Sequence, residues 1–184
     1  VGCFLGLTYA RSYAKRFPAI APLESWSKYL DSLAGSIDEI YFIGFVKMVK
    51  KLINHYAKGQ LIGDQMKVVG FEDISLQEYV HYLKAEFFDA IFLQQDAFNE
   101  IDSCPSEARV ANLLRQVNDV IDYDFGFNDK NQARELLLKL TSLFKDLNLC
   151  LSNSSEYQNY QKEIAGLLSK KEFLYAYNQE GLAC

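Results

Sequence analysis

A helical stripe between positions 75 and 98 constrains the fold of this chain more than any other feature. Large side chains recur here every three or four residues, the spacing that puts them on one face of an α-helix. Ser75 and Glu78 have the Ser-x-x-Glu spacing of a capping box, which marks the start of a helix. The stripe runs through Val80, Leu83, Phe87 and Ile91 to Gln94, and Tyr79, Phe88 and Phe92 widen it. We therefore expect a helix that is buried along one side.

The same spacing recurs along most of the chain and predicts a mainly α fold, an irregular multi-helix bundle. Further helices are expected over residues 8–16, 25–33, 37–58, 105–121, 133–147 and 157–168. Gly35, Gly59 and Gly70 stand where helices or loops would end, and residues 60–73 read as a loop or a short helix. Val1–Leu7 reads as a short buried strand or a helix lead-in, and the sequence beyond Lys171 gives no clear prediction.

Residues 17–23 have a different character from the helical segments. Pro18 and Pro22 lie four positions apart, and each proline disfavours helix both at its own position and at the one before it. We expect an extended segment that crosses between the start of the chain and the helical remainder.

Composition bounds the class of protein. The chain has 184 residues, 49% of them hydrophobic, which is enough for one domain with a sizeable core. A formal charge of −5 argues against a nucleic-acid surface, and no apolar run reaches the roughly 20 residues of a membrane span. The four scattered cysteines predict buried reduced thiols of a cytosolic protein rather than disulfides or a zinc site. The chain opens on an apolar run without a Met, so we expect a piece of a longer protein.

Motifs for phosphate or metal chemistry are missing or incomplete. The sequence contains neither a phosphate loop nor a Gly-x-Gly-x-x-Gly fingerprint, and no Lys-Thr follows Gly59 and Gly63. Glu78 and His81 have the spacing of a metal-ligand pair, but a single copy does not make such a site. We expect a solvated or core-edge His81, no metal site, and no catalytic residue; Cys104 lacks the His partner that a nucleophile needs.

Two aromatic residues, Phe17 and Phe98, stand at the ends of predicted elements. The commoner interpretation of such residues is that they belong to the core. Against it, Phe17 lies in a stiff Phe-Pro segment and Phe98 follows the polar pair Gln94-Gln95, and binding residues concentrate at element ends. An adenine ring is held largely by stacking between flat apolar groups on two segments of chain. The residues alone leave both interpretations open.

Three short motifs resemble the catalytic A subunit of V/A-type rotary ATPases. Residues 92–98, Phe-Leu-Gln-Gln-Asp-Ala-Phe, resemble the family's Phe-Leu-Gln-Gln-Asn-Ala-Phe, with Asp96 in place of Asn. Residues 16–20, Arg-Phe-Pro-Ala-Ile, resemble its His-Phe-Pro-Ala-Ile, and residues 25–29 are similar to its Ser-Tyr-Ser-x-Tyr. The resemblance covers roughly residues 1–170 and is weakest over 37–70.

The resemblance implies both a domain organisation and a binding site. Residues 1–23 would be the end of the nucleotide-binding domain, and residues 24–184 the C-terminal helical domain. Phe17, Ala97 and Phe98 would form the wall of the adenine pocket for ATP or ADP. Magnesium would be held only by the domain upstream of Val1, where the family keeps its phosphate loop and catalytic glutamate.

The resemblance also implies a function. The chain would be the C-terminal part of an ion-translocating ATPase subunit and would couple ATP hydrolysis or synthesis to rotation of a shaft. It would be inactive alone, would contact B subunits and central-stalk subunits, and would lie in the cytoplasmic, peripheral sector of a membrane-bound complex. Apolar surface on residues 1–23 would then be exposed. The alternative is a non-catalytic helical interaction module, which predicts that Phe17 and Phe98 are fully buried in one core.

Overall fold

The computed structural model describes residues 1–168, and there the fold is mainly helical, which confirms the predicted fold class. A two-stranded sheet and seven α-helices follow one another along this part of the chain. The strands are β1 (Cys3–Phe4) and β2 (Trp26–Ser27). The helices are α1 (Tyr9–Tyr13), α2 (Ala34–Ile40), α3 (Phe45–Val69), α4 (Leu76–Phe88), α5 (Glu107–Asp122), α6 (Lys130–Leu149) and α7 (Ser155–Leu167). A π-helical segment, Asp89–Leu93, continues α4. The sequence beyond Lys171, and Cys184 with it, lies outside the described residues.

The core is built around α4, which packs between α3 and α6 and also touches α5. The α7 helix covers the other side of α6. Phe87 of α4 meets Phe144 of α6 edge to face, with ring centroids 5.1 Å apart, and both are buried. Other fully buried members of this cluster are Leu52, Ile91, Leu114, Leu137, Leu140, Leu147, Ile164 and Leu168. The apolar stripes predicted for these helices therefore face one shared core.

Side-chain caps fix where most of these helices begin. The predicted capping box is confirmed, because Ser75 Oγ accepts from the Glu78 amide at 3.2 Å and Glu78 Oε2 accepts from the Ser75 amide at 3.1 Å. Ser106, Asp129 and Ser154 each accept a bond from a first-turn amide of α5, α6 and α7. The first predicted helix is shorter than expected: α1 ends before Lys15, whose φ of +56° no helix allows.

The long helix predicted over 37–58 is displaced along the chain. It is α3, which starts after Gly44 and runs on to Val69, and the glycines that flank it, Gly44 and Gly70, both have positive φ values. Residues 60–69 continue this helix, whereas residues 60–73 were predicted to be a separate loop or short helix ended by Gly70. The carboxylate of Asp38 accepts from the Gly44 and Val46 amides at 2.8 and 3.1 Å and caps the first turn. The prediction that Gly59 ends this helix is wrong: Gly59 is buried inside α3.

The predicted helix over 25–33 is also wrong. Trp26–Ser27 forms β2 and pairs antiparallel with Cys3–Phe4, and turns occupy the residues up to α2, which contains Gly35. Pairing with β1 takes the place of a helical turn here, and Ser25 Oγ accepts from the Gly6 amide at 3.1 Å. The apolar residues that suggested a helix, such as Trp26 and Leu33, are exposed and face no core.

The start of the chain is exposed, whereas Val1–Leu7 was predicted to be buried. Only Gly6 of this segment is buried, and Val1, Phe4, Leu5 and Leu7 are exposed. This agrees with the separate expectation of apolar surface on residues 1–23. The prediction of buried thiols is wrong for Cys3 and Cys104, which are exposed, and Cys150 is half-buried; all three are free.

Candidate functional site

Phe17, Ala97 and Phe98 line a single open cavity of about 800 Å³. The two chain segments that carry them are joined directly, because the Gln95 amide donates to the Phe17 carbonyl at 2.9 Å. The Phe17 residue is 52% exposed and Phe98 is 99% exposed. The alternative prediction, that both rings are buried in one core, is therefore wrong. The end of α6 closes another side of the cavity with Lys145, Asn148 and Leu149.

The turn that carries Phe98 is shaped by side-chain oxygens. Asp96 Oδ1 accepts from the Phe98 amide at 2.9 Å, and Asp102 Oδ2 accepts from the Asp96 amide at 2.6 Å. Asn99 Oδ1 accepts from the Ile101 amide at 2.9 Å and from the Asp102 amide at 3.1 Å. Asp and Asn both offer the oxygen that such a turn needs. The Asp at position 96 therefore leaves the turn intact.

The chain reaches this turn through the π-helical segment Asp89–Leu93. After it, Gln94 is extended, with φ −113° and ψ 146°, so the chain leaves the bundle abruptly. Buried Asn148 of α6 donates from Nδ2 to the Ile91 carbonyl at 3.1 Å. This bond gives a backbone carbonyl of the π-helical segment a hydrogen-bond partner. Single π-helical turns inside α-helices are frequent at functional sites.

A fully buried carboxylate, Asp89, lies at the start of the π-helical segment. Arg11 of α1 donates to both of its oxygens, at 2.9 Å each. Tyr56 of α3 donates to Oδ2 at 3.1 Å, and Arg16 pairs with the same oxygen. Arg16 also pairs with Glu86 at 2.7 Å. One carboxylate therefore joins three parts of the chain that are far apart in sequence.

The charges of this network stabilise one another. Burial on its own would raise the pKa of Asp89, but the hydrogen bonds from Arg11 and the charge of Arg16 lower it below its usual value. Burial and the charge of Asp89 raise the pKa of Tyr56 to about 12. Burial would lower the pKa of Arg16, but Glu86 and Asp89 outweigh it and raise the pKa. The carboxylate is therefore ionised and the phenol neutral at neutral pH.

Comparison with known proteins shows which proteins the chain is similar to. A family model described as the C-terminal domain of V and A type ATP synthase matches residues 35–123. The V-type ATP synthase alpha chain of Protochlamydia amoebophila is 38% identical over 172 residues, which cover 93% of this chain and 29% of that relative. The chain matches the C-terminal region of V-type ATP synthase alpha chains. The alpha chain of Chlamydia pneumoniae is 41% identical over 92% of this chain and 29% of its own length. That of Borreliella afzelii is 36% identical over 95% and 28%.

The matched region of the V-type alpha chain family is its C-terminal domain, and the present chain spans less than a third of the length of these relatives. The structure brings together all three residues proposed for the site from the sequence. It also adds residues that sequence reasoning missed, chief among them Asp89. An acidic residue inside the apolar stripe of a helix is a signal that could have indicated it, because a buried charge requires partners.

A second cavity, of about 320 Å³, also escaped sequence reasoning. It shares Pro18, Gln94, Gln95 and Asp102 with the first cavity. The rest of its lining is mostly apolar and comes from the extended segment after Phe17, the π-helical segment and α5. The Gln94-Gln95 pair therefore contributes to two neighbouring concave surfaces.

The Glu78–His81 pair is structural. Glu78 is engaged in the capping box, and the His81 ring stacks on His55 with centroids 3.8 Å apart, at the edge of the core. His81 Nε2 lies 3.0 Å from the His55 carbonyl oxygen. Burial and the neighbouring ring lower the pKa of His55 to about 4, and burial lowers that of His81. Among residues 1–168, no group of acidic, His and Cys side chains has a metal-binding arrangement, and none of the helices is long and apolar enough to span a membrane.

Proposed function

We propose that this chain forms one wall of an adenine pocket in an ATP synthase alpha chain, where it binds the base of ATP or ADP. Phe17 and Phe98 would hold the two faces of the base, with Ala97 beside them. The observation that carries the proposal is that residues from two distant segments line one open cavity, with both aromatic rings exposed. Aromatic rings that are exposed to solvent on a backbone fixed by hydrogen bonds do not belong to the core, and they are suited to stacking on a flat ligand.

The volume and the lining of the cavity fit this role. About 800 Å³ lies within the range of small-molecule sites, and the lining combines apolar groups with a few polar ones. Phosphates and magnesium would be bound by residues outside this chain, because its sequence has no phosphate loop. The catalytic residues would lie there too, so the complete subunit would be an ion-translocating ATPase while this chain alone would not turn over ATP.

The helical bundle would couple ATP hydrolysis or synthesis at the pocket to rotation of the shaft. Its partners would be the B subunits and the central-stalk subunits, in the cytoplasmic, peripheral sector of a membrane-bound complex, and hydrolysis or synthesis would move it against the shaft. Residues 1–23 would complete the nucleotide-binding domain, although β1 pairs with β2 on the other side of that boundary. Exposed Val1, Leu5, Leu7, Tyr9 and Tyr13 give the upstream domain an apolar surface to cover.

Truncation of Phe98 tests the proposal. In the complete alpha chain, assembled in its complex, Phe98→Ala should weaken ATP binding roughly 5- to 150-fold, because one aromatic stacked on a base is worth about 1–3 kcal/mol. The free energy of unfolding should hardly change, since the residue is 99% exposed and leaves no core cavity. Titration with ATP and thermal unfolding measure the two quantities.

Leu138→Ala is the matched control, because Leu138 is an exposed apolar residue of α6 that does not line the cavity. This variant should leave ATP affinity unchanged. If Phe98→Ala also leaves ATP affinity unchanged while the complex assembles, the adenine role is wrong. The chain would then be a helical interaction module without a nucleotide contact.

A further inference from the structure

We propose that Asp89 is a positioning residue for the nucleotide pocket, one buried carboxylate that holds the Phe17 wall and the Phe98 wall in fixed relation to each other. Asp89 does not line the cavity, so it would act through its partners. The inference rests on the proposed nucleotide role of that cavity. It adds the group that sets the distance and orientation of the two aromatic walls.

The first wall is fixed to Asp89 through arginine. Arg16 directly precedes Phe17, and its guanidinium pairs with Asp89 and, at 2.7 Å, with Glu86. Arg11 lies in α1, just before this segment, and binds the same carboxylate through two nitrogens at 2.9 Å each. Such bidentate pairs fix orientation as well as distance, because the guanidinium and the carboxylate are both planar. Two anchors therefore hold the segment that presents Phe17.

The second wall is fixed to the same carboxylate through the backbone. Asp89 opens the π-helical segment that leads to the Phe98 turn, and Gln94 Nε2 reaches back to Asp89 Oδ1 at 3.4 Å. The Gln95 amide then donates to the Phe17 carbonyl at 2.9 Å. These contacts form a closed ring that runs from Asp89 to Arg16 and Phe17, across to Gln95, and back through Gln94.

Apolar packing alone would not define the gap between the walls in this way. The segment from Lys15 to Pro18 has few apolar partners in the bundle, and Phe17 itself is half exposed. Apolar contacts are also non-directional, whereas a base that stacks between two rings needs them at a fixed separation. The third partner, Tyr56, ties the carboxylate to α3 at 3.1 Å, so the anchor is itself part of the rigid bundle.

Asp89→Asn in the complete, assembled alpha chain tests the inference. The amide keeps the shape and one acceptor oxygen but loses the charge that binds both arginines. We expect the KM for ATP to rise by up to about 100-fold, because a misplacement of about 1 Å can cost that much. The measurements are KM and kcat for ATP hydrolysis, direct ATP binding, and thermal unfolding of the complex.

Lys84→Met separates positioning from stability. The buried Lys84 ammonium donates to the Ile121 and Tyr123 carbonyls at 2.8 and 2.7 Å, and it contacts neither Asp89 nor the cavity. Its loss should lower thermal stability but leave the KM for ATP unchanged. If Lys84→Met raises the KM as much as Asp89→Asn does, the effect is general loosening of the bundle and the inference is overturned.

Arg16→Gln provides a second variant, which decides the question if Asp89→Asn does not assemble. Arg16 is partly exposed, and Asp89 keeps both hydrogen bonds from Arg11 when Arg16 is replaced. A raised KM supports the inference, and an unchanged KM overturns it. Phe98→Ala in the same assay distinguishes the two proposals. If Phe98→Ala weakens ATP binding and neither network variant does, only the positioning role falls; if Phe98→Ala has no effect, the nucleotide role falls and the inference with it.

Discussion

Gly59 of α3 lies against Ala85 of α4, and this close approach predicts whether an added methyl group raises or lowers the stability of the fold. A Cβ at Gly59 would lie 2.2 Å from the Ala85 Cβ and 3.7 Å from the Ala85 Cα. Gly63, one turn later, would place a Cβ 3.0 Å from the Tyr82 ring. Among residues 1–168, nothing lies within 4 Å of a Cβ added at Gly166 of α7. Gly→Ala at these three positions is the same chemical change in three surroundings.

The magnitudes follow from two opposing effects. Replacing an interior helical Gly with Ala stabilises a helix by up to about 1 kcal/mol. Carbon atoms prefer a separation of about 3.5–4.0 Å, so the 2.2 Å contact at Gly59 forces α3 and α4 apart by roughly 1.5 Å. Overpacking of this kind costs about 1–3 kcal/mol, and Ala85 belongs to the buried core. Gly59→Ala should therefore destabilise the fold by about 1–2 kcal/mol.

Urea unfolding of the 184-residue chain measures these differences. Gly166→Ala should be neutral or up to about 1 kcal/mol more stable, and Gly63→Ala should be near neutral because the Tyr82 side chain can move. Ala85→Gly should rescue Gly59→Ala, and the double-mutant cycle should give a coupling of at least about 0.5 kcal/mol. A Gly59→Ala chain as stable as Gly166→Ala, or a cycle without coupling, would refute the close-approach argument.

Two further predictions concern stability. Arg109 donates to the Leu147, Asn148 and Cys150 carbonyls at 3.2, 2.7 and 3.0 Å and so caps the end of α6. Arg109→Met should therefore lower the free energy of unfolding in urea by about 2 kcal/mol, and Arg109→Lys by less. Equal stability of Arg109→Met and the unchanged chain would contradict this. The pKa of His55 is about 4 in the folded chain and about 6.5 in the unfolded chain. Between these pH values the unfolded chain binds a proton at His55 that the folded chain does not. The free energy of unfolding should therefore fall as the pH drops from about 6.5 to about 4. His55→Gln should flatten that part of the pH–stability curve, and a curve of unchanged slope would show that other groups cause it.

The sequence predicted the bundle well where a local pattern reports directly on burial. The Ser75–Glu78 box and the stripe through Phe87 gave the position and the buried face of α4, because capping and three/four spacing are local consequences of helix geometry. The prediction over 25–33 failed because its apolar residues make the same spacing while facing outward. A glycine is equally ambiguous: Gly70 ends a helix, whereas Gly59 permits another helix to approach, and only the packing of α4 distinguishes them.

The candidate site was predictable only in part. Phe17, Ala97 and Phe98 were proposed from motifs that resemble a known family, and the structure brings them to one cavity. Asp89 had no such motif. Its partners Tyr56, Arg16 and Arg11 lie 33, 73 and 78 positions away, so no local pattern joins them. Only the general requirement that a buried carboxylate be paired could have indicated that such partners exist.

Three irregular parts of the backbone lie close together around the cavity. Lys15 has a left-handed φ, the π-helical segment widens the last turn of α4, and Gln94 then leaves the helix in an extended conformation. Such conformations are maintained only where surrounding contacts hold them. Here the contacts are the Asp89 network, the Asn148 bond to the π-helical segment, and the Gln95–Phe17 bond. A fold that needed only stability could continue α4 as a plain helix, so the ligand proposed to bind between the two segments would explain why these departures occur together.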